Sequence, residues 1–358
     1  MGKKIKREYN NNSLHNAHRN KMDEFYTQYS DIEKELKYYK DKFKNKIVYC
    51  NCDDPEISNF YKYFSNNFEH LGLKKLICTH YSLNEKTYKL VIEKDRNKDG
   101  KINGKDVERY EFMFSDGDFR SDECVELLKE SDIVCTNPPF SLFREYVAQL
   151  IEHKKKFLII GNQNAITYKE IFELIKDNKI WLGMSIHSGD REFRVPDYYP
   201  LRAAGFRVDE NGVKYIRVKG VRWWTNIDYK ERHEEFIPKK YKKYKGNEKD
   251  YPKYDNYNAI NIDKSELIPI DYKGVMGVPI TFLDKYNPGQ FEIIGQGQGN
   301  LYRELTTKGL KKEFVNNYYK TGGTGSIKED HPVLGYYDKN GKAVIPYMRI
   351  LIKRVKGE

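Results

Sequence analysis

The chain predicts an α/β fold built on a mainly parallel, twisted sheet and followed by a smaller β-rich region. Three observations predict it. Between residues 47 and 177, short apolar runs alternate with helical spacings, the rhythm of strand–helix–strand units. Polar turns close those apolar runs at residues 51–55, 137–140 and 161–164, where the carboxyl ends of parallel strands present a ligand site. Beyond about residue 180 the helical spacing fades into aromatic, basic, β-like sequence, with a charged stretch at 238–258.

Taken in order, residues 1–20 are polar, Asn-rich and basic, and read as a flexible arm. Ile32, Leu36 and Tyr39 recur at helical spacing within residues 22–40, with Thr27 or Ser30 as the expected cap. A strand follows at 47–52, a helix at 56–70, a strand at 75–79 and a β-like stretch at 87–93. Next come a strand at 109–114, a helix at 121–130, a strand at 133–136, a helix at 141–152, a strand at 157–160 and a helix at 168–177. The expected domains are therefore the arm (1–20), a ligand-binding and catalytic domain (21–180) and a β-rich region (181–358) that is free to lend strands to the core.

Composition narrows the function classes. Lys and Arg total 64 against 53 Asp and Glu, and the resulting +11 favours an anionic partner such as nucleic acid. Cys50, Cys52, Cys78, Cys124 and Cys135 form no paired CxxC sets, so reduced thiols are expected and metal ligation is not. No apolar h-region or membrane-length run is present, which predicts a soluble cytoplasmic protein with no membrane contact. The histidines form no HExxH and no hydrolytic triad. Asp53-Asp54 lacks the Glu-x-Lys pair of a two-metal nuclease. The segment at 95–106 has the spacing of a calcium-binding loop, but strand-like flanks make it the tip of a hairpin.

The chemistry concentrates in Asn137-Pro138-Pro139-Phe140. An apolar strand delivers Asn137, and two prolines stiffen the turn while pushing Asn137 and Pro138 toward extended angles. The Asn137 side-chain oxygen and the Pro138 carbonyl then converge, two acceptors for the two hydrogens of an amino group. Phe140 offers a face on which a planar ring stacks. An aromatic amine is a poor nucleophile, since its lone pair is conjugated into the ring. Two acceptors draw the nitrogen toward tetrahedral geometry and stabilise the charge that develops on attack. A sulfonium methyl donor is already activated, so this pattern points to methylation of an amine on a planar group.

Beyond that motif, SDIVCTNPPFSLFREYVAQLI, KKFLIIGNQNAITYKEIF, KMDEFYTQYSDIEKEL, SDGDFRSDE and MGVPITFLDKYNPGQFEIIG resemble the EcoRI-type adenine-specific DNA methyltransferases, from about residue 20 to the terminal YMRILIKR. The resemblance implies a Rossmann-like class I methyltransferase core with S-adenosylmethionine as cofactor, and transfer to the amino nitrogen of adenine in duplex DNA. It implies catalytic roles for Asn137, Pro138, Pro139 and Phe140. Tyr26 and Thr27 match the segment near the methionine end of the cofactor, and Asn51, Cys52 and Asp53 occupy the end of the first strand. Asp118 and Phe119 match the segment that holds the cofactor's adenine, by carboxylate and by ring. Two positions depart from the family's usual pattern. The first loop reads Asn-Cys-Asp-Asp-Pro rather than glycine-rich, and the second strand ends Cys78-Thr79-His80 without the acid that holds the ribose hydroxyls.

A second constellation is basic and aromatic. Arg191, Arg194, Arg202 and Arg207 precede Arg222-Trp223-Trp224, and Lys239, Lys240, Lys242 and Lys243 alternate with tyrosines. Lysines contact phosphates and arginines read guanine edges. Arg191, Arg194, Arg222 and those four lysines are therefore the expected DNA contacts, and the region 181–358 the target-recognition region. Trp223 and Trp224 are expected in the core rather than as a wedge. Duplex DNA requires the target base to rotate out, with residues 161–164 and 188–191 as candidate loops beside it. The expected protein is a monomer in a restriction–modification role, sharing its site with a cognate endonuclease. Competing readings are methylation of RNA or of protein glutamine, and a DNA-binding protein with a vestigial core.

Overall fold

The computed structural model describes residues 25–52, 54–81, 86–112, 116–187, 190–197, 199, 205–240, 242–299 and 308–355. The expected arm, together with Asp53, Arg202 and residues 188–189, lies outside the described residues. By contacts the chain divides into two units. The first runs to Ile171 and resumes over Ile180–Tyr229, and the second is Phe172–Lys179 with the chain from Lys230 onward.

The strands of the first unit are, in chain order, β1 (Ile47–Cys50), β2 (Lys75–Thr79), β3 (Tyr88–Ile92), β4 (Glu108–Glu111), β5 (Ile133–Thr136), β6 (Lys156–Asn162), β7 (Trp181–Leu182), β8 (Arg191–Arg194), β9 (Arg207–Val208), β10 (Lys214–Val218) and β11 (Val221–Thr225). The main sheet orders them β4-β3-β2-β1-β5-β6-β11-β7, and a small antiparallel sheet is ordered β8-β10-β9. Only the centre, β2-β1-β5-β6, is parallel; both margins are antiparallel. This corrects the mainly parallel sheet read from the alternation. Only residues 80–87 link β2 to β3, and so short a connection allows only an antiparallel return. Trp181–Leu182 and Val221–Thr225, beyond residue 180, are strands of this core sheet.

Helices cover the sheet where their apolar faces permit. Helix α1 (Tyr29–Leu36) buries Ile32 and Leu36 but is shorter than its sequence pattern, and its N-cap Gln28 makes no side-chain cap bond. Neither Thr27 nor Ser30 is therefore the cap. Helix α2 (Asn59–Asn66) is capped by Ser58, whose hydroxyl accepts from the Tyr61 amide, and buries Phe60, Tyr63 and Phe64. After the one-turn α3 (Phe68–Leu71), helix α4 (Asp122–Glu130) is capped by Ser121 and carries acids in its first turn, where the dipole favours them. Helix α5 (Phe143–Glu152) buries Phe143, Tyr146, Val147 and Leu150, and α6 (Lys169–Lys176) follows.

Buried Glu35 ties α1 to the segment after β7. Its carboxylate accepts from the amides of Met184 (2.9 Å) and Ser185 (2.6 Å) and from the Tyr39 hydroxyl (2.9 Å). Burial raises its carboxyl pKa. Trp223 and Trp224 are fully buried in β11, as expected of core residues. The hairpin β3–β4 carries the 95–106 turn, where Asp106 accepts from the amides of Arg96 (2.9 Å), Asn97 (3.2 Å) and Asn103 (3.0 Å). Those carboxylate oxygens serve the turn itself.

In the second unit, β12 (Ala259–Asn261), β13 (Val275–Pro279), β14 (Phe291–Gln296) and β17 (Arg349–Arg354) form a sheet ordered β12-β13-β17-β14, with a register shift between Ile293 and Gly295. Helix α7 (Lys312–Lys320) packs Phe314 beside the hairpin of β15 (Tyr336–Tyr337) and β16 (Ala343–Val344). Among the described residues no helix is long and apolar enough to cross a membrane.

Gly183 tests how tightly α1 is seated. A Cβ there would lie 2.2 Å from Glu35 Oε1 and 2.6 Å from Trp223 Cβ. We expect Gly183→Ala to lower stability by about 1–3 kcal/mol through overpacking, measured as a fall in Tm. An unchanged Tm would show that the Glu35 tether yields freely.

Candidate active site

The order β2-β1-β5-β6 has its switch point between β1 and β5, since the chain leaves β1 toward β2 and later continues from β5 toward β6. In open α/β sheets a ligand binds at such a point, beyond the carboxyl ends of the strands. Asn51 follows β1 and Asn137 follows β5, and both are buried. The parallel centre thus brings together two residues far apart in sequence.

Asn137 is held from one side only. Its Nδ2 donates to the main-chain carbonyl of Phe25, while its Oδ1 is buried without a hydrogen-bond partner. The anchored amino end leaves the oxygen as the acceptor that the motif requires. Pro139 is extended (φ −55°, ψ 124°) and its carbonyl accepts from the Leu142 amide at 3.0 Å, which fixes the turn into a 3₁₀ turn at Phe140–Leu142. Phe140 is buried with its ring edge-to-face on Phe25 at 5.5 Å, and Phe25 also packs on Phe193 at 5.8 Å.

The segment around Tyr26 is locked in place. Tyr26 exchanges main-chain hydrogen bonds with Arg194 of β8 (2.9 and 3.2 Å), and Asn59 Nδ2 donates to the Thr27 carbonyl at 2.7 Å. Thr27 is 2% exposed and its hydroxyl has no hydrogen-bond partner. It is a second polar group held in the core without one, next to the anchor of Asn137.

Tyr146 joins two further segments. Its hydroxyl donates to Asn51 Oδ1, and Phe119 packs edge-on against its ring at 5.0 Å. Burial holds the Tyr146 hydroxyl well above the usual tyrosine pKa, so it remains a donor. Cys52 is half-buried beside Asn51, with Sγ 3.8 Å from Asn51 Oδ1. The Asp118 carboxylate is gripped by the Arg120 fork at 2.8 and 2.7 Å, and Arg120 also reaches Glu145 at 3.5 Å. Gly117 lies so close to the end of β2 that a Cβ would sit 2.0 Å from the His80 carbonyl oxygen; its φ is +79°.

Comparison with known proteins gives the family. The family described as "Adenine-specific methyltransferase EcoRI" matches residues 13–355. The chain belongs to the EcoRI adenine-specific methyltransferase family. It is 52% identical to the Type II methyltransferase M.EcoRI of Escherichia coli over 309 residues, 84% of this chain and 93% of that protein. It is 37% identical to the Type II methyltransferase M.MpnI of Mycoplasma pneumoniae over 341 residues, 94% of this chain and 97% of that one. A third relative, the Type II methyltransferase M.MgeORF184P of Mycoplasma genitalium, is 38% identical over 341 residues, with the same 94% and 97% coverage. No solved structure matches the chain.

In this methyltransferase the expected DNA contacts fall in different surroundings. Arg191 and Arg194 bound β8, the strand that braces Tyr26; Arg191 Nε lies 3.9 Å from Asp31 and its Nη1 donates to the Asp190 carbonyl at 3.1 Å. Arg222 corrects the reading, being 1% exposed in β11 with Nη1 on the Ile186 carbonyl at 3.3 Å. A guanidinium enclosed in the core sheet cannot meet a phosphate or a base edge. Lys239, Lys240, Lys242 and Lys243 are exposed in the second unit. Lys240 pairs with Glu266 at 3.3 Å and Lys242 with Asp250 at 2.6 Å. Residues 161–164 close on their own turn, Asn162 accepting from the Asn164 amide at 2.9 Å and Gln163 donating to the Gly220 carbonyl at 2.6 Å.

Residue-by-residue reading missed Phe25, Tyr146 and Arg120. Tyr146 left a signal, as a polar tip on the apolar face of α5, whereas the Phe25 carbonyl is main chain and carries none. We expect Tyr146→Phe to lower stability by about 1 kcal/mol through the lost hydrogen bond, and Tyr146→Ala to lower it further because Phe119 also loses its packing. Thermal unfolding of the two variants checks this; an unchanged Tm in Tyr146→Phe would mean that the hydroxyl contributes nothing, and equal losses in both would mean that the ring packing does not.

Proposed function

We propose that this chain transfers a methyl group from S-adenosylmethionine to the exocyclic amine of an adenine rotated out of duplex DNA at a specific site. The observation that carries the reading is the buried, unpartnered Oδ1 of Asn137, aimed by the Phe25 carbonyl at the other end of the amide. An acceptor so placed accounts for its desolvation cost only when an amine arrives. Asn137 Oδ1 and the Pro138 carbonyl accept the two amine hydrogens, the nitrogen lone pair is released from conjugation, and developing positive charge meets two dipoles already in place. Phe140 supplies the face against the adenine ring.

The residues present fit the cofactor, and a Rossmann-like class I methyltransferase core suits the parallel centre and its switch point. The unpartnered Thr27 hydroxyl and the Tyr26 segment suit the polar methionine end, and Asn51 and Cys52 follow β1, with Asp53 next in sequence as the third proposed contact. Phe119 offers its ring, and Asp118 a carboxylate that Arg120 keeps oriented, to the cofactor's adenine. S-adenosylmethionine, when bound, supplies a methyl group already activated on sulfonium. Tyr146 holds Asn51 and Phe119 in a common frame.

The family and the net charge of +11 support duplex DNA as substrate over RNA or protein glutamine. Arg191 and Arg194, on the strand bracing the site, and the lysine run at Lys239, Lys240, Lys242 and Lys243 are the proposed DNA contacts. Residues 21–180, with the strands that 181–229 lend to the core sheet, carry cofactor and catalysis, and the rest of 181–358 target recognition. A restriction–modification role in the cytoplasm, with a cognate endonuclease and a monomeric enzyme, completes the reading.

Asn137→Ala should abolish methylation while leaving DNA affinity within a few-fold, since phosphate contacts dominate affinity. Transfer of labelled methyl to duplex DNA, RNA and protein, alongside a DNA-binding isotherm, reads both; label in protein alone would sink the proposal. Phe140→Ala should impair turnover more than Phe140→Tyr or Phe140→Trp, because only a ring face is needed. Equal loss in all three variants would argue against stacking.

A further inference from the structure

We infer that His80 binds the ribose hydroxyls of the methyl donor, in the place where the second strand of the core lacks an acid. The inference rests on the cofactor reading above. In sheets of this kind the ribose is held by a polar side chain at the end of the strand beside β1. Here that strand is β2, which pairs with β1 in parallel along its length.

The residues at its end are not equivalent. Cys78 is buried in the core, and the Thr79 hydroxyl, 2% exposed, is engaged with the Tyr49 hydroxyl at 3.2 Å. His80 is half-buried, and its Nδ1 is enclosed without a hydrogen-bond partner. An imidazole nitrogen so placed lacks a partner that a hydroxyl, both donor and acceptor, is able to supply.

The ring is also fixed in direction. It stacks on Tyr88 of β3 at 4.7 Å with 19° between planes, and the His80 amide donates to the Tyr88 carbonyl at 2.9 Å. The close approach of Gly117 to the His80 carbonyl puts the main chain of His80 against the segment proposed for the cofactor's adenine. A ribose joins an adenine to its sulfonium arm, so its ligand belongs between the Asp118 segment and the ends of β1 and β5. His80 stands on the strand neighbouring β1, next to that segment.

The test is calorimetric titration of the full chain with S-adenosylhomocysteine and with its 2′-deoxy and 3′-deoxy analogues. His80→Phe keeps a flat ring to stack on Tyr88 and removes both nitrogens; His80→Gln returns a hydrogen-bonding group. We expect His80→Phe to weaken S-adenosylhomocysteine binding about tenfold, the scale of one good hydrogen bond. Wild type and His80→Phe should bind the analogue lacking the contacted hydroxyl equally, and His80→Gln should recover part of the lost affinity. An equal loss for S-adenosylhomocysteine and both analogues would assign His80 a structural role and overturn the inference. So would a variant that still discriminates as wild type does. A wild-type chain that binds S-adenosylhomocysteine and both analogues with equal affinity would remove the ribose contact altogether, and one that binds none would overturn the cofactor reading first.

Discussion

The hydrogen bond from Asn137 Nδ2 to the Phe25 carbonyl is the constraint on which the site depends. An amide has a donor end and an acceptor end, and anchoring one orients the other. The fold thereby keeps Oδ1 buried and unpartnered, a cost on the order of 1–3 kcal/mol. Several features sustain it. The parallel strand β5 delivers the residue, two prolines prevent the turn from relaxing, and the anchor is itself held by the main-chain pairing of Tyr26 with Arg194. The small sheet of β8, β9 and β10 thus serves the Asn137 turn through the segment before α1.

A comparable economy holds around β1. Tyr146 reaches Asn51 with its hydroxyl and Phe119 with its ring, so α5, which begins just after the Asn137 turn, also frames the proposed cofactor segments. Departures from a glycine-rich first loop are then less surprising. Where a glycine loop would present main-chain amides, this chain presents a buried asparagine held by a buried tyrosine. The segment proposed for the cofactor's adenine is shaped by a glycine elsewhere, at Gly117, whose backbone lies against the end of β2.

What could be read from residues alone follows how local each cause is. Asn137-Pro138-Pro139-Phe140 was legible because proline stiffness and side-chain chemistry act within four residues. The helices at 59–66, 122–130 and 143–152 were legible because apolar spacing is local, as are the capping serines of the first two. Strand direction was not, since periodicity reports which face is buried and not whether a neighbour runs alongside or against it. Thr27 looked like a cap because a hydroxyl before a helix usually is one; here the helix starts after Gln28 and the hydroxyl faces inward. Arg222 looked like a DNA contact because it sits in a basic, aromatic string. The string does not reveal that β11 is threaded between β6 and β7.

The sequence by itself determined the chemistry of the motif, the alternation of strands and helices that ends in polar turns, and a family resemblance running nearly the length of the chain. The tertiary structure decided which polar groups are satisfied. That Asn137 is tied at its nitrogen, that Tyr146 serves Asn51, that Arg120 grips Asp118 and that His80 keeps an enclosed nitrogen without a partner are long-range facts of packing. The physical reason is that a hydrogen bond between residues 25 and 137 depends on the path of everything between them, whereas the stiffness of two prolines depends on nothing beyond their neighbours.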